Sequence, residues 1–383
     1  MAQPEFQPQS VEELAGILRD CASRRTAIDV QGNASKRGIG HRIEATPLSV
    51  SGMTGITTYD PEEMVITLQA GTPLSEVIET LNGRRQMLGF EPSGLETLWP
   101  GSREATIGGT IAAAMSGPRR FAIGAARDHL LGFSAVNGLG ESFRSGGSVV
   151  KNVTRYDLPR LAAGSFGTLF VMTSLTLRVY PKPVATVALC IDGLAVEEAL
   201  ACLRTLSRSP LEPSGLSYLP QTPAQPSQTL CRFEGEKEGV SERALAAANL
   251  IGHKTRTLDP DETHAIFARI ADVASCFDEG TALWRVSVPQ TEAARTLQAV
   301  KPERFIVDGA GGILWLQSGS THVHAHAASN GGHALLVRQQ AAAPEPLDIF
   351  QPMDDVTQAL VTRLKDAFDP HRILNPGRMY RSI

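Results

Sequence analysis

The sequence predicts an α+β protein in two parts, and three observations carry that expectation. The chain has 383 residues, more than one hydrophobic core ordinarily serves, so two domains or one domain with a large insertion are expected. Helical and strand periodicities are interleaved through the first half rather than segregated. Composition then shifts after Pro181 and Pro183, and Pro210, Pro213, Pro220, Pro223 and Pro226 follow among Ser and Gln. The expected divisions are 1–183, a smaller α+β domain at 184–345, and a C-terminal helix and tail at 346–383.

Charge and cysteine usage exclude several classes. A net charge of −4 and a pI near 6.2, with no basic run, argue against a nucleic-acid partner. Cys21, Cys190, Cys202, Cys231 and Cys276 include no C-x-x-C pair, so neither an iron–sulfur cluster nor a disulfide framework is expected, which fits a reducing cytosol. No charged-then-apolar leader and no apolar stretch of roughly 20 residues is present, so any membrane contact is expected to come through a partner.

Ser10 followed by Glu13 suggests a capping box for a helix with Val11, Leu14, Ala15 and Leu18 on one face. Ala27 to Val30 reads as a strand running into Gln31-Gly32-Asn33-Ala34-Ser35-Lys36-Arg37-Gly38. That loop is either a diphosphate cradle or a solvated turn, and it matches neither the P-loop nor the Rossmann pattern. Leu48–Val50 and Met64–Gln69 are strand candidates with a turn at Tyr59-Asp60-Pro61. Thr72 and Pro73 then open a helix with Leu74, Val77, Ile78 and Leu81 buried.

Thr106 is expected to cap a helix that begins Ile107-Gly108-Gly109. Two first-turn glycines cost about 1 kcal/mol each relative to alanine. They serve either to bare backbone N–H groups to an anion or a flat ring, or to let the helix pack closely on a sheet. Arg119, Arg120 and Arg127 at the exit suit the helix dipole, a ligand or a solvated turn.

The stretch from Gly146 to Tyr180 carries the clearest signal. Gly146 and Gly147 lead a β-prone run to Asn152, Asp157 caps a short helix that Gly164 stops, and Gly164-Ser165-Phe166-Gly167-Thr168 launches a strand from Leu169 to Val179. The turn is suited to a phosphate-bearing ligand or simply connects helix to strand. Farther on, helices are expected near 196–207, 240–251 and 291–299. Strands are expected near 186–191, 229–233, 283–288, 304–308 and 312–317, with 210–226 a long irregular loop. His322, His324 and His326 read as a polar strand face or pocket wall rather than a metal site, and Gly331-Gly332-His333 as a turn. Asp354 and Asp355 open a last helix with Val356, Ala359, Leu360 and Leu364 on one face, before a turn-rich, docked tail.

Three glycine-rich backbone sites in one half suit a long dinucleotide. The motifs QGNASK (31–36), PGS (100–102), ATIGGTIAAAMSGPRR (105–120), ARDHLLG (126–132), VNGLGE (136–141), GGSVVKNVTRYDL (146–158), GSFGTLFVMTSLTLR (165–178) and FDPHRILNPGRM (368–379) resemble the FAD-binding family of vanillyl-alcohol oxidase and p-cresol methylhydroxylase. Within it, they are most similar to the FAD-binding subunits of bacterial glycolate oxidases. The resemblance implies a two-lobed p-cresol methylhydroxylase-type FAD-binding domain, a small α+β cap domain on the substrate side, and a C-terminal helix and tail that return to the first. It also implies the residues that meet FAD. Gln31, Gly32, Asn33, Ala34, Ser35 and Lys36 take the diphosphate, and Thr106, Ile107, Gly108 and Gly109 lie against diphosphate and flavin, with Pro100, Gly101, Ser102, Ala112 and Arg119 nearby. Ser165, Gly167, Thr168 and Val171 face the adenylate, and Asn375 closes the site.

Members that bind FAD covalently use a histidine. The first loop here reads Ser35-Lys36-Arg37, so non-covalent FAD is expected. The H-G-D-G-N-x-H signature of the catalytic flavoprotein subunit is missing from the chain. The implied activity is oxidation of glycolate to glyoxylate in a complex with a catalytic flavoprotein subunit and an iron–sulfur subunit, in the cytoplasm or peripheral to the membrane through those partners. A self-sufficient 2-hydroxy-acid dehydrogenase and a non-catalytic electron-relay or scaffold subunit are the alternatives, with Arg119, Arg285 and His324 as candidates near substrate and no metal.

Overall fold

The computed structural model describes residues 6–93, 95, 98–99, 103–147, 157–273, 277–278, 280–339 and 347–383. They fall into two compact units, one of Met1–Met115, Ala125–Pro181 and Pro352–Ile383, the other of Ser116–Gly124 and Lys182–Gln351. The segment Ser116–Gly124, which the sequence groups with the first part, thus packs with the second.

Up to Pro181 the chain forms α1 (Val11–Arg24), β1 (Ile28–Gln31), β2 (Thr46–Ser49), β3 (Ile56–Asp60), β4 (Val65–Gln69), α2 (Leu74–Asn82), β5 (Gln86–Met87), α3 (Ile107–Ala113), α4 (Arg120–Ile123), α5 (Ala126–His129), β6 (Leu130–Asn137), β7 (Ser142–Gly146), α6 (Leu158–Ala162), β8 (Phe170–Arg178) and β9 (Tyr180–Pro181). Local chemistry sets several of these boundaries. Ser10 Oγ accepts from the N–H of Glu13, while the Glu13 carboxylate accepts from Gln9 rather than from Ser10, so the box is shifted by one residue. Asp157 caps α6 through the N–H of Arg160. Thr72 does not cap α2, as its hydroxyl instead donates to Gln69 O at 2.7 Å. Tyr59 and Asp60, read with Pro61 as a turn from sequence, instead end an outer strand that runs from Ile56 to Asp60.

β1 and β2 pair in parallel, and β3-β4-β8-β6-β7 form a five-stranded antiparallel sheet. Leu68, Leu175, Leu177 and Phe133 from that sheet are buried with Leu14 and Leu18 of α1. Phe170 lies 5.1 Å from Phe133 and 5.2 Å from Phe368, ring centre to ring centre, so the last helix contributes an aromatic ring to the first unit's core.

The second unit adds β10 (Ala185–Asp192), α7 (Val196–Ser207), β11 (Gly215–Leu219), β12 (Gln228–Gly235), α8 (Lys237–Ile251), β13 (Arg256–Leu258), α9 (Pro260–Asp272), β14 (Leu283–Ser287), α10 (Ala293–Val300), β15 (Arg304–Asp308), β16 (Ile313–Gln317), α11 (Val323–Ser329) and β17 (His333–Arg338), after which α12 (Asp355–Phe368) rejoins the first. Its strands form one eight-stranded sheet in the order β13-β10-β12-β11-β15-β16-β14-β17. Because side chains alternate along each strand, Phe233, Trp284, Val286, Val307, Leu314 and Leu316 share one apolar face with the buried residues of α7, α8 and α10. The other face carries Arg232, Glu234, Arg285, Asp308 and Trp315.

Three expectations for this unit are corrected. The proline-rich stretch 210–226 contains β11, a fully buried interior strand between β12 and β15. His324 and His326 lie in the helix α11 rather than on a strand, because Ser320 and His322 turn the chain beforehand. His333 begins β17 rather than sitting in a turn. In α12 the stripe read as a helix face points outward, with Val356 72% and Leu360 54% exposed, and the helix buries Lys365 instead. Among the described residues no helix is long and apolar enough to cross a membrane.

Candidate functional site

A pocket opens in the first unit where β1, α3 and the turn before β8 meet. Of the residues the sequence singles out, Gln31, Gly32, Asn33, Ala34, Ser35, Lys36, Thr106, Gly108, Gly109, Ala112, Gly167 and Val171 line it together. Ile107 is buried in the core beneath it. Ser165 and Thr168 stand behind the lining, where the Thr168 hydroxyl donates to Ser165 O at 2.7 Å. Pro100, Gly101 and Ser102 lie outside the described residues.

Thr106 caps α3 by accepting from Gly109 N–H at 3.2 Å. Ile107 N donates to Thr72 O, Gly108 N to Ala70 O and Thr110 N to Thr106 O, each at 2.9 to 3.0 Å. Every donor of that turn is engaged within the protein, so the expectation that α3 bares them to an anion is corrected.

The two glycines divide the remaining roles. A Cβ on Gly108 would fall 2.7 Å from Ala70 O and 2.8 Å from Ala70 Cβ, so this glycine allows close packing. A Cβ on Gly109 would meet only Thr106 Oγ1, at 3.2 Å, and would otherwise enter the pocket. Gly32 likewise allows close approach of the loop to α3, since a Cβ there would fall 2.1 Å from Thr106 Oγ1. At Gly109 the wall is thus bare backbone, which a flat group can approach closely.

The loop after β1 supplies the polar end. Ala34 has φ 60°, a left-handed turn that costs a residue with a Cβ about 1 kcal/mol or more. The N–H groups of Asn33, Ala34 and Ser35 find no acceptor among the described residues. Such a turn gathers successive N–H groups into an anion-binding concavity. Lys36, Arg37 and Arg378 line the pocket against one carboxylate, Asp29. Asp29 is held by Arg37 at 2.8 Å and Arg378 at 3.6 Å. Arg378 also donates to Arg37 O and Ile39 O at 2.9 Å each, and burial draws its guanidinium below the ordinary value while Asp29 opposes the shift. The excess of positive charge suits a diphosphate. Sequence reasoning missed Asp29 and Arg378. Arg378 follows the Asn375-Pro376-Gly377 turn, and its position in a docked tail was the available signal.

Asn375 does not line the pocket but fixes two of its walls. Its Oδ1 accepts from Val30 N–H at 2.7 Å and its Nδ2 donates to Phe166 O at 2.7 Å. Backbone bonds from Ile28 N–H to Ile373 O and from Asn375 N–H to Ile28 O extend the parallel β1–β2 pair by a third segment.

The three candidates proposed near substrate all lie in the second unit, and two of them are committed elsewhere. Arg119 makes a two-point contact with Glu234, Nε to Oε2 at 3.0 Å and Nη2 to Oε1 at 2.8 Å, an ion pair that ties Ser116–Gly124 to β12, and it is not among the residues that line the pocket. His324 has Gln351 Oε1 at 3.2 Å from Nδ1 and Asp348 O at 2.9 Å from Nε2, with its ring edge-on to Trp284. Both nitrogens serve to pin residues 348–351. Arg285 remains, half-buried on the polar sheet face.

The sequence pattern of the FAD binding domain matches residues 3–146, and that of the C-terminal domain of FAD linked oxidases matches residues 351–379. The chain is 33% identical over 370 residues to the glycolate oxidase subunit GlcE of Escherichia coli K12, covering 96% of each chain. It is 24% identical over 436 residues to a D-lactate dehydrogenase of Anaerostipes hadrus, covering 99% of this chain and 90% of the other. Its fold matches that of p-cresol methylhydroxylase with substrate bound, at a TM-score of 0.69 and 15% identity over 97% of this chain and 88% of that one.

Proposed function

The chain belongs to the FAD-binding family of p-cresol methylhydroxylase and vanillyl-alcohol oxidase, in the branch of the glycolate oxidase subunit GlcE, and from that membership we propose that it is the FAD-binding subunit of a multi-subunit glycolate oxidase. One observation carries the cofactor: a pocket with a bare-backbone wall at Gly109 and a cationic, N–H-rich end at Asn33 to Arg37. Glycine-bearing turns from three separate segments line this one pocket, at Gly32, at Gly108 and Gly109, and at Gly167, which suits a dinucleotide better than a single phosphate. In this reading the diphosphate sits on the loop after β1, the ring system against α3, and the adenylate toward Gly167 and Val171. Bound FAD would supply the hydride acceptor. The chain's own residues hold and orient it.

The lining, among the described residues, offers no histidine, cysteine or tyrosine to which flavin could be linked, which supports non-covalent FAD. Assembly with a catalytic flavoprotein subunit and an iron–sulfur subunit, and electron transfer to the latter, follow from the likeness to GlcE. Two measurements test the proposal. Acid precipitation of the natively purified chain is expected to leave yellow FAD in the supernatant, and a colourless native protein would remove the cofactor. Affinity isolation from the native cell is expected to recover two further subunits and glycolate-dependent dye reduction. Recovery of the chain alone, with no such activity in the eluate, counts against the complex.

A further inference from the structure

The polar face of the second unit's sheet leaves two side chains uncommitted. β14 and β17 are antiparallel with Arg285 opposite Leu335 and Ser287 opposite His333. Arg285 and His333 are therefore diagonal neighbours on one face, with backbones roughly 7 Å apart. Trp315, buried and directly opposite Arg285 on β16, gives that face an apolar floor. Among the described residues neither the Arg285 guanidinium nor the His333 ring makes a hydrogen bond or an ion pair. The one carboxylate that acts on Arg285 belongs to Asp308, which accepts from Ser217 Oγ at 2.9 Å.

The electrostatics agree with that geometry. Burial, and next the like charge of Arg120, pull the Arg285 guanidinium down to about 9, with only Asp308 opposing. A cation so poorly compensated gains from an anion beside it. Burial, and then the charges of Arg285 and Arg120, hold the His333 imidazole below its ordinary 6.5. At pH 7 that ring is neutral, with one nitrogen available as an acceptor.

We propose that Arg285 and His333 together bind a small 2-hydroxycarboxylate, the guanidinium taking the carboxylate at two points and the imidazole accepting the hydrogen of the hydroxyl. The proposal deepens the functional reading above by naming the residues that recognise the acid, and it rests on that reading only for the identity of the acid. A planar fork matches a carboxylate, and a neutral acceptor placed beside it separates a 2-hydroxy acid from the plain acid.

Anaerobic calorimetric titration of the full chain with glycolate and with acetate tests this. The wild type is expected to bind glycolate about tenfold or more tighter than acetate. Arg285→Met is expected to lose both ligands by at least about tenfold, with partial recovery in Arg285→Lys, which keeps the charge without the fork. His333→Leu is expected to bring glycolate down to the affinity of acetate, and His333→Gln, which keeps an acceptor, to restore part of the difference. Melting temperatures of the variants confirm that each is folded. Equal binding of the two acids by the wild type, unchanged binding in folded Arg285→Met, or no saturable binding of glycolate would each overturn the proposal. A chain that carries no flavin yet shows this pattern would sink the FAD reading and keep the acid site.

Discussion

Lys365 and Asp369, one turn apart at the end of α12, form an ion pair at 2.7 Å in which neither side chain is exposed to solvent. Every strong group in the pair is used. Lys365 Nζ also donates to Thr168 O at 2.7 Å and Leu374 O at 2.8 Å, and the Asp369 carboxylate accepts from the N–H groups of Ile373 and Leu374. Burial draws the Lys365 ammonium below its ordinary value while Asp369 works against that shift. Removing one partner strands the other in the interior, which typically costs about 3 to 5 kcal/mol. Lys365→Met is therefore expected to lower unfolding free energy in urea by about that amount, and FAD retention with it, because Thr168 and Leu374 flank the pocket-forming turns. A variant as stable as the wild type would show that the pair contributes nothing.

Gly108 and Gly109 are adjacent but should fail in different ways. Gly109→Val points its side chain into the pocket with only Thr106 Oγ1 nearby, so FAD affinity is expected to fall at least tenfold while the melting temperature moves by a few degrees. Gly108→Ala drives its Cβ into Ala70, and overpacking of that kind costs about 1 to 3 kcal/mol. Fluorescence titration with FAD and thermal melts of both proteins separate the two effects. If both variants lose stability alike, the pocket wall is misassigned.

Acid should unlock the Arg119 contact. Burial alone would raise the Glu234 carboxyl, but the Arg119 hydrogen bonds and the Arg232 and Arg119 charges outweigh it and hold the group at about 2 against an ordinary 4.5. Since the folded value lies below the unfolded one, the stabilisation is complete above about pH 4.5 and is lost as pH falls toward 2. At 1.36 kcal/mol per unit it amounts to at most about 3 kcal/mol. Glu234→Gln should thus be less stable than the wild type at pH 7, with the gap reduced to about half by pH 3 in denaturant titrations. A gap of the same size at both pH values would contradict the assignment.

Asn375 is expected to be hard to replace. Its backbone is left-handed at φ 43°, and its amide joins Val30 to Phe166. Asn375→Ala removes both hydrogen bonds and leaves a buried donor and acceptor unpaired, at roughly 1 to 3 kcal/mol, and FAD should dissociate measurably faster. Asn375→Asp keeps an acceptor for Val30 N–H and should lose less. Equal dissociation rates in the two variants would argue that only the Phe166 contact matters.

The legible parts of the chain were those fixed by local chemistry. Thr106 capping α3, Asp157 capping α6 and the glycine turn before β8 follow from residue types and spacing alone, whereas the pocket-lining residues were named through the family resemblance of the motifs. The misreadings arose where distant packing outweighs local preference. Gly215–Leu219 looks like loop because prolines flank it on both sides, yet all five of its residues are buried in an interior strand between β12 and β15. His322 to His326 carry no strong preference, and the turn at Ser320 decides for a helix. A lone Lys365 in an amphipathic helix reads as solvated, and only the arrival of Thr168 O, Leu374 O and Asp369 makes its burial tolerable. Arg285 was visible as a cation, whereas His333 gained its meaning only when the strand register set it beside that cation.

The bond between Val30 and Asn375 joins residues 345 positions apart, and this has a consequence in time. At about 5 to 20 residues per second, a ribosome needs roughly 20 to 70 s to make the intervening chain. Through that interval the amide of Val30 has no Asn375 side chain to meet, the Phe166 carbonyl waits likewise, and Arg378 has yet to reach Asp29. The nascent first half therefore emerges with an open cradle, and flavin capture becomes a late event that marks the chain as finished.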